Sequence, residues 1–399
     1  MASSKQCPPE IWDLVLDQLA PSEYRTLCLV SKGFRAIAEP LLYSKIEWIW
    51  KHVHAPVIQY HYPPIVQLLR TLLARQELAD CITTMHLAGY ISSHNPCSFE
   101  TPRFQIPEIE LDGAISFVQK ANPPYGERWI QGIREGSMGA LVELLLTLLP
   151  NLRVLYLTRN SLGRRLSLWP ISDPPVASNL RALHLTHIRQ KGLGELLCGT
   201  PNLTALEWSW FYHLNWSTEL MTWTVELDQL THALSPIRST LTNLTLKADA
   251  IGGPFDPGVK LKGSMSGIVE FDRIKRLQAP LALLVWFPKN TATRLRGLIP
   301  RNLELLVLTD ELRYQNIDGH DHDCPQWEWD DYAILDLVRT WLEDDAGVPP
   351  HLRQIALMFR EIEHDEGEWS LGMQDRLREL GDRAGIQAKL TDMDPESNL

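Results

Sequence analysis

One alternation recurs eight times along this chain: apolar, two residues, apolar, one residue, apolar. The triplets are Ile82-Met85-Leu87, Leu152-Leu155-Leu157, Leu180-Leu183-Leu185, Leu203-Leu206-Trp208, Leu241-Leu244-Leu246, Ile274-Leu277-Ala279, Leu303-Leu306-Leu308 and Leu352-Ile355-Leu357. Such spacing predicts a short strand that turns two or three side chains inward. Turns of one kind precede most of them, among them Pro150-Asn151, Ser178-Asn179, Pro201-Asn202 and Pro300-Arg301-Asn302. Successive starts lie 70, 28, 23, 38, 33, 29 and 49 residues apart. A recurring unit of some 20 to 50 residues predicts an α/β solenoid, an architecture that more often holds a partner than catalyses.

Alternation places the residue between the last two apolar positions on the outer, concave face of such a solenoid. Those residues are Tyr156, His184, Glu207, Thr245, Gln278, Val307 and Ala356, with Lys247 among their neighbours. The first five are candidates for binding a protein substrate. Helical periodicity marks 141–149, 192–197, a helix over 63–73 and another over 371–383 that stops at Gly385. A last strand is expected at 386–390, followed by a loose polar tail over 391–399.

Residues 8–43 read differently, as three short helices. Pro8 and Pro9 open the first, in which Ile11, Leu14, Val15 and Leu19 fall at helical spacing. Pro21 breaks it, and Ser22 and Ser31 are expected to cap the second and third helices. Leu27 and Val30 lie on the second, Phe34, Ile37 and Ala38 on the third, and Pro40 is expected to end it. Some forty residues rarely build their own core. Their apolar positions exceed what three short helices hide, so this unit must pack on the rest of the chain, on a partner, or on both.

The run Cys7-Pro-Pro-Glu-Ile-Trp-Asp-Leu-Val-Leu-Asp-Gln-Leu19, with Leu27-Cys-Leu-Val-Ser-Lys-Gly-Phe34 and Pro40-Leu-Leu-Tyr43, resembles an F-box. Cys7 stands where that pattern opens with leucine, and cysteine can act as a small buried apolar side chain. F-boxes dock on the Skp adaptor of cullin–RING ubiquitin ligases. The resemblance therefore implies that Pro8, Ile11, Leu14, Leu19, Leu27, Val30 and Phe34 form or support an adaptor-binding face. The triplets in turn resemble an irregular leucine-rich repeat, and the whole layout is similar to fungal F-box proteins with divergent leucine-rich repeats. The expected organisation is an F-box over 1–48, a solenoid over 49–390 and a tail over 391–399.

Charge narrows the partners. The chain of 399 residues has a net charge of −11. Between Asp310 and Asp345 lie 12 acidic residues against Arg313 and Arg339, so this stretch carries most of the excess. An acidic protein without a basic stripe is a poor partner for nucleic acid. The stretch reads as an acidic insertion, and Trp327 and Trp329 within it are further substrate-binding candidates suited to a basic segment. Six separated cysteines without a CxxC pair point to a reduced protein. The first residues lack an apolar signal core and the longest apolar run is too short to span a bilayer, so a protein of cytoplasm or nucleus is expected, without a membrane partner.

No catalytic motif is found: no phosphate loop, no GxSxG elbow, no HExxH helix. Asp318-Gly-His320-Asp-His322-Asp-Cys324 offers ligand-type side chains but no second pair at zinc-finger spacing, so no metal and no cofactor is assigned. For an enzyme built on the outer face, His184 and Glu207 on consecutive strands are the pair to inspect. The sequence thus points to a substrate-recognition adaptor of a Skp–cullin–F-box ubiquitin ligase. The alternative is a non-catalytic scaffold acting outside ubiquitination.

Overall fold

A computed structural model describes residues 9–16, 18–52, 64–91, 106–123, 125–158, 179–186, 188, 190–213, 223–251, 259–287, 295–312, 331–344, 347–359 and 371–392. Three helices lead, α1 (Pro9–Leu16), α2 (Pro21–Val30) and α3 (Lys32–Ser44), and α3 runs straight into β1 (Lys45–His52). Then follow α4 (Ile65–Ala74), α5 (Gln76–Ala79), β2 (Thr84–Ile91), α6 (Glu108–Ala121), α7 (Gly126–Arg134), α8 (Met138–Thr147), β3 (Val154–Thr158), β4 (Ala182–Thr186), α9 (Gln190–Cys198) and β5 (Ala205–His213). The remainder is β6 (Thr224–Glu226), α10 (Leu227–Leu234), β7 (Asn243–Ile251), β8 (Lys260–Lys262), β9 (Arg276–Pro280), α11 (Leu281–Val285), β10 (Leu305–Thr309), α12 (Asp331–Leu342), β11 (Gln354–Phe359), α13 (Leu371–Ala384) and β12 (Gln387–Asp392).

The expected leucine-rich-repeat solenoid is corrected here. The described chain forms one long parallel sheet of ten strands, ordered β1-β2-β3-β4-β5-β7-β9-β10-β11-β12, with helices, while β6 and β8 pair in a separate two-stranded sheet: an α/β fold in which no solenoid is shown. All eight triplets do lie at strands of this sheet. What they report is a strand with one buried face, not the unit that follows it. Among the described residues those units differ in kind: α6, α7 and α8 lie between β2 and β3, one helix, α9, between β4 and β5, and one, α12, between β10 and β11.

Register explains the triplets. Met85, Leu155, Leu183, Leu206, Leu244, Leu277, Leu306 and Ile355 are successive cross-strand partners. All of them are buried and belong to one contiguous hydrophobic cluster with the helices. Parallel strands need long crossovers, and helices that cover the sheet supply them. The asparagines of the turns before these strands have a job as well. The side-chain amide of Asn151 donates to the Asp80 carbonyl (3.0 Å), Asn179 to Pro150 (2.5 Å) and Asn302 to Asp272 (2.7 Å). Each ties one turn to an earlier one and holds the next strand in register.

At the far edge α13 lies very close to β12. A Cβ on Gly381 would stand 2.5 Å from the Ile386 carbonyl oxygen, so only glycine permits that approach. Gly385, with φ +69, ends the helix as expected. Two sequence expectations fail locally. Ser22 is no cap: Pro21 begins α2, and the Ala20 amide donates to the Glu23 carboxylate (2.6 Å). Pro40 lies inside α3, which continues to Ser44.

The stretch 310–345 is not one solvated insertion. Its described second half is α12, which buries Ala333, Ile334, Leu335, Leu337, Val338, Trp341 and Leu342. Its acidic residues mask a helical apolar period. Among the described residues, no helix is long and apolar enough to cross a membrane.

Candidate functional site

Two surfaces gather the candidate residues. The first is the helical unit α1–α3. Inside it, Trp12 meets Phe34 edge to face with centroids 5.4 Å apart. The Tyr24 hydroxyl donates to the Leu16 carbonyl (2.8 Å), and the Phe34 amide donates to Ser31 Oγ (3.2 Å), the expected cap of α3. Leu16 and Ala38 are buried, and Leu19, Leu27 and Phe34 are half-buried. Ile11, Leu14 and Val30 are exposed, together with Val15, Leu29 and Ile37. Leu29 keeps 82% of its surface in solvent and Leu14 65%. Pro8 lies outside the described residues.

The unit is tied to the sheet body by charge. Both oxygens of Glu39 on α3 accept from the Arg75 guanidinium at 2.9 Å, and Arg35 adds a third contact at 3.0 Å. Hydrogen bonding from Arg75 outweighs burial and holds the Glu39 carboxyl down at about 2.

The second surface is the face of the sheet turned away from the core. Glu47, His86, Tyr156, His184 and Glu207 are successive partners across β1–β5, and Thr245 and Gln278 continue the row on β7 and β9. Pairing alternate residues of adjacent strands puts all of them on one face. The rings of Tyr156 and His184 stack at 4.0 Å, and His86 tilts against Tyr156 at 5.1 Å. His184 Nδ1 lies 3.1 Å from Glu207 Oε2, and Lys247 Nζ 2.9 Å from Glu207 Oε1. At the other end His86 Nδ1 is 3.6 Å from Glu47 Oε1, and Lys45 is 3.1 Å from Glu47 Oε2.

Burial opposes ionisation of Glu207, but hydrogen bonds from His184 and Lys247 outweigh it and hold the carboxyl down at about 2. The Lys45 ammonium likewise lowers Glu47. The strongly raised carboxyl is elsewhere: burial pushes Glu143 on α8 up to about 8, with Arg128 opposing.

The row changes character along the sheet. On β10 and β11 its positions are Val307 and Ala356, both buried. Just beyond β10, Glu311 accepts from the Thr309 hydroxyl (3.0 Å) and from the Ala248 amide (3.4 Å). The row is open from β1 to β9 and opens again at the edge strand β12, where Lys389 pairs with Ala356 and is exposed.

Sequence reading found Tyr156, His184, Glu207, Thr245 and Gln278, and the structure brings them into one row. It missed Glu47 and His86. The alternation of Lys45-Ile-Glu-Trp-Ile-Trp-Lys-His52 signals that strand. Trp327, Trp329 and the Asp318–Cys324 cluster lie outside the described residues. Among the described residues no group of three or more His, Cys, Asp or Glu side chains is placed to hold a metal ion. Compared with known proteins, the chain matches no family model and no curated protein.

Proposed function

We propose that this chain is a non-catalytic substrate-recognition adaptor of a Skp–cullin–F-box ubiquitin ligase, acting in cytoplasm or nucleus. In this reading α1–α3 dock on the Skp adaptor and the open half of the sheet face holds a protein substrate. The observation that carries it is the set of six uncovered apolar side chains, Ile11, Leu14, Val15, Leu29, Val30 and Ile37, on a unit too small to hide them. Apolar surface concentrated in this way marks a contact with another protein. The F-box resemblance of the same residues supplies the partner. The adaptor's contribution would be proximity: holding a substrate beside the charged conjugating enzyme makes attack by its lysine nearly intramolecular.

The test is co-expression with a Skp adaptor and co-purification, comparing the native chain with an Ile11→Asp/Val30→Asp variant. Both side chains are exposed, so the variant should fold. The complex should form with the native chain and weaken by about 30-fold or more in the variant, the loss of at least one hot spot. Equal recovery of adaptor with both chains sinks the docking assignment. Adaptor binding without ubiquitin transfer to any bound protein leaves a scaffold instead.

A further inference from the structure

We propose that a line of cations at the N-terminal ends of the strands, Arg153, Arg181, Lys275, Arg276 and Arg353, binds a carboxylate-rich segment of a protein partner. This rests on the reading of the chain as one that holds another protein, and it names the charge class of what is held.

The line is a product of register. Before each of β4, β5, β7, β9, β10 and β11, the residue one short of the strand already joins the ladder. The Arg181 amide donates to the Arg153 carbonyl (2.8 Å), Thr204 to Arg181 (2.9 Å), Thr242 to Thr204 (2.8 Å), Lys275 to Thr242 (2.8 Å), Glu304 to Lys275 (2.8 Å) and Arg353 to Glu304 (2.9 Å). These neighbours come from well-separated parts of the sequence, which is why no basic stripe is visible in it. From β3 to β11 the line crosses seven strands. At about 4.8 Å per strand it is about 30 Å long, the reach of about nine extended residues.

Arg153, Arg181, Lys275 and Arg353 are exposed, and so is Arg276, the first residue of β9. Arg153 and Arg181 stand side by side on adjacent strands, where like charges destabilise. Among the described residues no carboxylate forms an ion pair with Arg153, Arg181, Arg276 or Arg353, and Arg181 donates instead to the Asn202 carbonyl (3.0 Å). The carboxylate within the line, Glu304, is engaged by Lys275 Nζ at 2.9 Å. The Lys275 ammonium, with Arg353 and His351 adding to it, lowers the Glu304 carboxyl, so the local field is positive even at the acid. The Thr204 and Thr242 hydroxyls donate to backbone carbonyls (3.0 and 2.9 Å) and bring no charge. In the adjoining turns Asp80 and Asp272 are exposed, and Arg273 and Arg301 offset them.

What the line lacks is anions. A segment rich in carboxylates supplies them, and a guanidinium meets a carboxylate through two parallel hydrogen bonds. A nucleic acid fits less well, since its charge continues past the line into a protein of net charge −11 that repels it.

The experiment is fluorescence anisotropy on the full chain with a labelled peptide of alternating glutamate and glycine, beside a lysine–glycine peptide and a single-stranded DNA of equal length. The glutamate peptide should bind best. Its affinity should fall as salt rises from about 0.1 to 1 M, where the screening length drops from about 10 to 3 Å. It should lose about tenfold or more in an Arg153→Glu/Arg276→Glu variant. Both side chains are exposed and make no bond among the described residues, so the variant should fold. Should it misfold, Arg353→Glu takes its place, with a loss of about threefold or more expected. Absence of binding, equal binding by the folded variant, insensitivity to salt, preference for the lysine peptide, or tighter binding of DNA overturns the proposal. Adaptor recovery through α1–α3 does not enter this measurement, so either reading can fail alone.

Discussion

Helices α2 and α8 are both ten residues long, and their apolar residues meet opposite fates. In α8 Met138, Ala140, Leu141, Val142, Leu144, Leu145 and Leu146 are all buried. In α2 nothing is buried, although it carries Leu27, Leu29 and Val30. The difference is in what lies beside each helix. α8 packs against α4 and α7 and its side chains join the buried cluster under the sheet, whereas α2 has chiefly α3 as its neighbour. Apolar surface on α8 stabilises the fold, and apolar surface on α2 is left for a partner.

The largest effect should come from the sheet body. Leu306→Ala removes a fully buried side chain of β10, and leaves a cavity worth about 2–5 kcal/mol. Urea unfolding of the purified chain measures it. A loss under about 1 kcal/mol would mean that the sheet core is no better covered than α2, and the contrast would collapse.

A smaller effect sharpens the picture of the open face. The Glu207 carboxyl is depressed in the folded chain to about 2 from its ordinary 4.5. The folded state therefore holds that proton more weakly than the unfolded state. Its contribution is complete above about pH 4.5 and is lost as pH falls toward 2. With partial exposure it should amount to about 1 kcal/mol. Comparing unfolding midpoints of the native chain and Glu207→Gln across that window should show the two curves converging at acid pH. Parallel curves would remove the His184–Glu207–Lys247 contacts from the energetics.

The smallest effect on stability belongs to α2. Leu29→Ser should change unfolding free energy by no more than about 0.5 kcal/mol, since the side chain already faces water. A loss above about 1 kcal/mol would show that α2 is covered by another part of the chain, and would remove it as a docking face.

Much of the fold was legible because a strand covered on one side leaves a period-two mark. Each of the eight triplets met a strand, and Gly385 ended α13 where expected. The error concerned what joins the strands. The recurring triplets suggested the irregular repeats of a solenoid, but a triplet describes only its own strand. The acidic count over 310–345 suggested a solvated insertion and hid the period of Ala333-Ile-Leu-Asp-Leu-Val338 and Trp341, which α12 buries. Pro40 inside α3 shows the same limit. Proline opposes helix continuation locally, yet Tyr43 just beyond it packs against the core, and that packing carries the helix on to Ser44.

The residues alone determined where strands form and which side chains turn inward, because backbone pleat and apolar alternation are properties of neighbours in sequence. They also determined that the first helices carry more apolar surface than they can hide. Tertiary structure alone decided that β1 pairs beside β2 and carries the row on to His86 and Glu47. Residues as distant as Glu47, His86, Tyr156, His184 and Glu207 form a row because parallel pairing across long crossovers sets their register. The bond between His184 and Glu207 then assigns the imidazole proton. Neither the row nor the proton is a property of any short stretch of chain, since both depend on strands that meet only after the helices between them have packed.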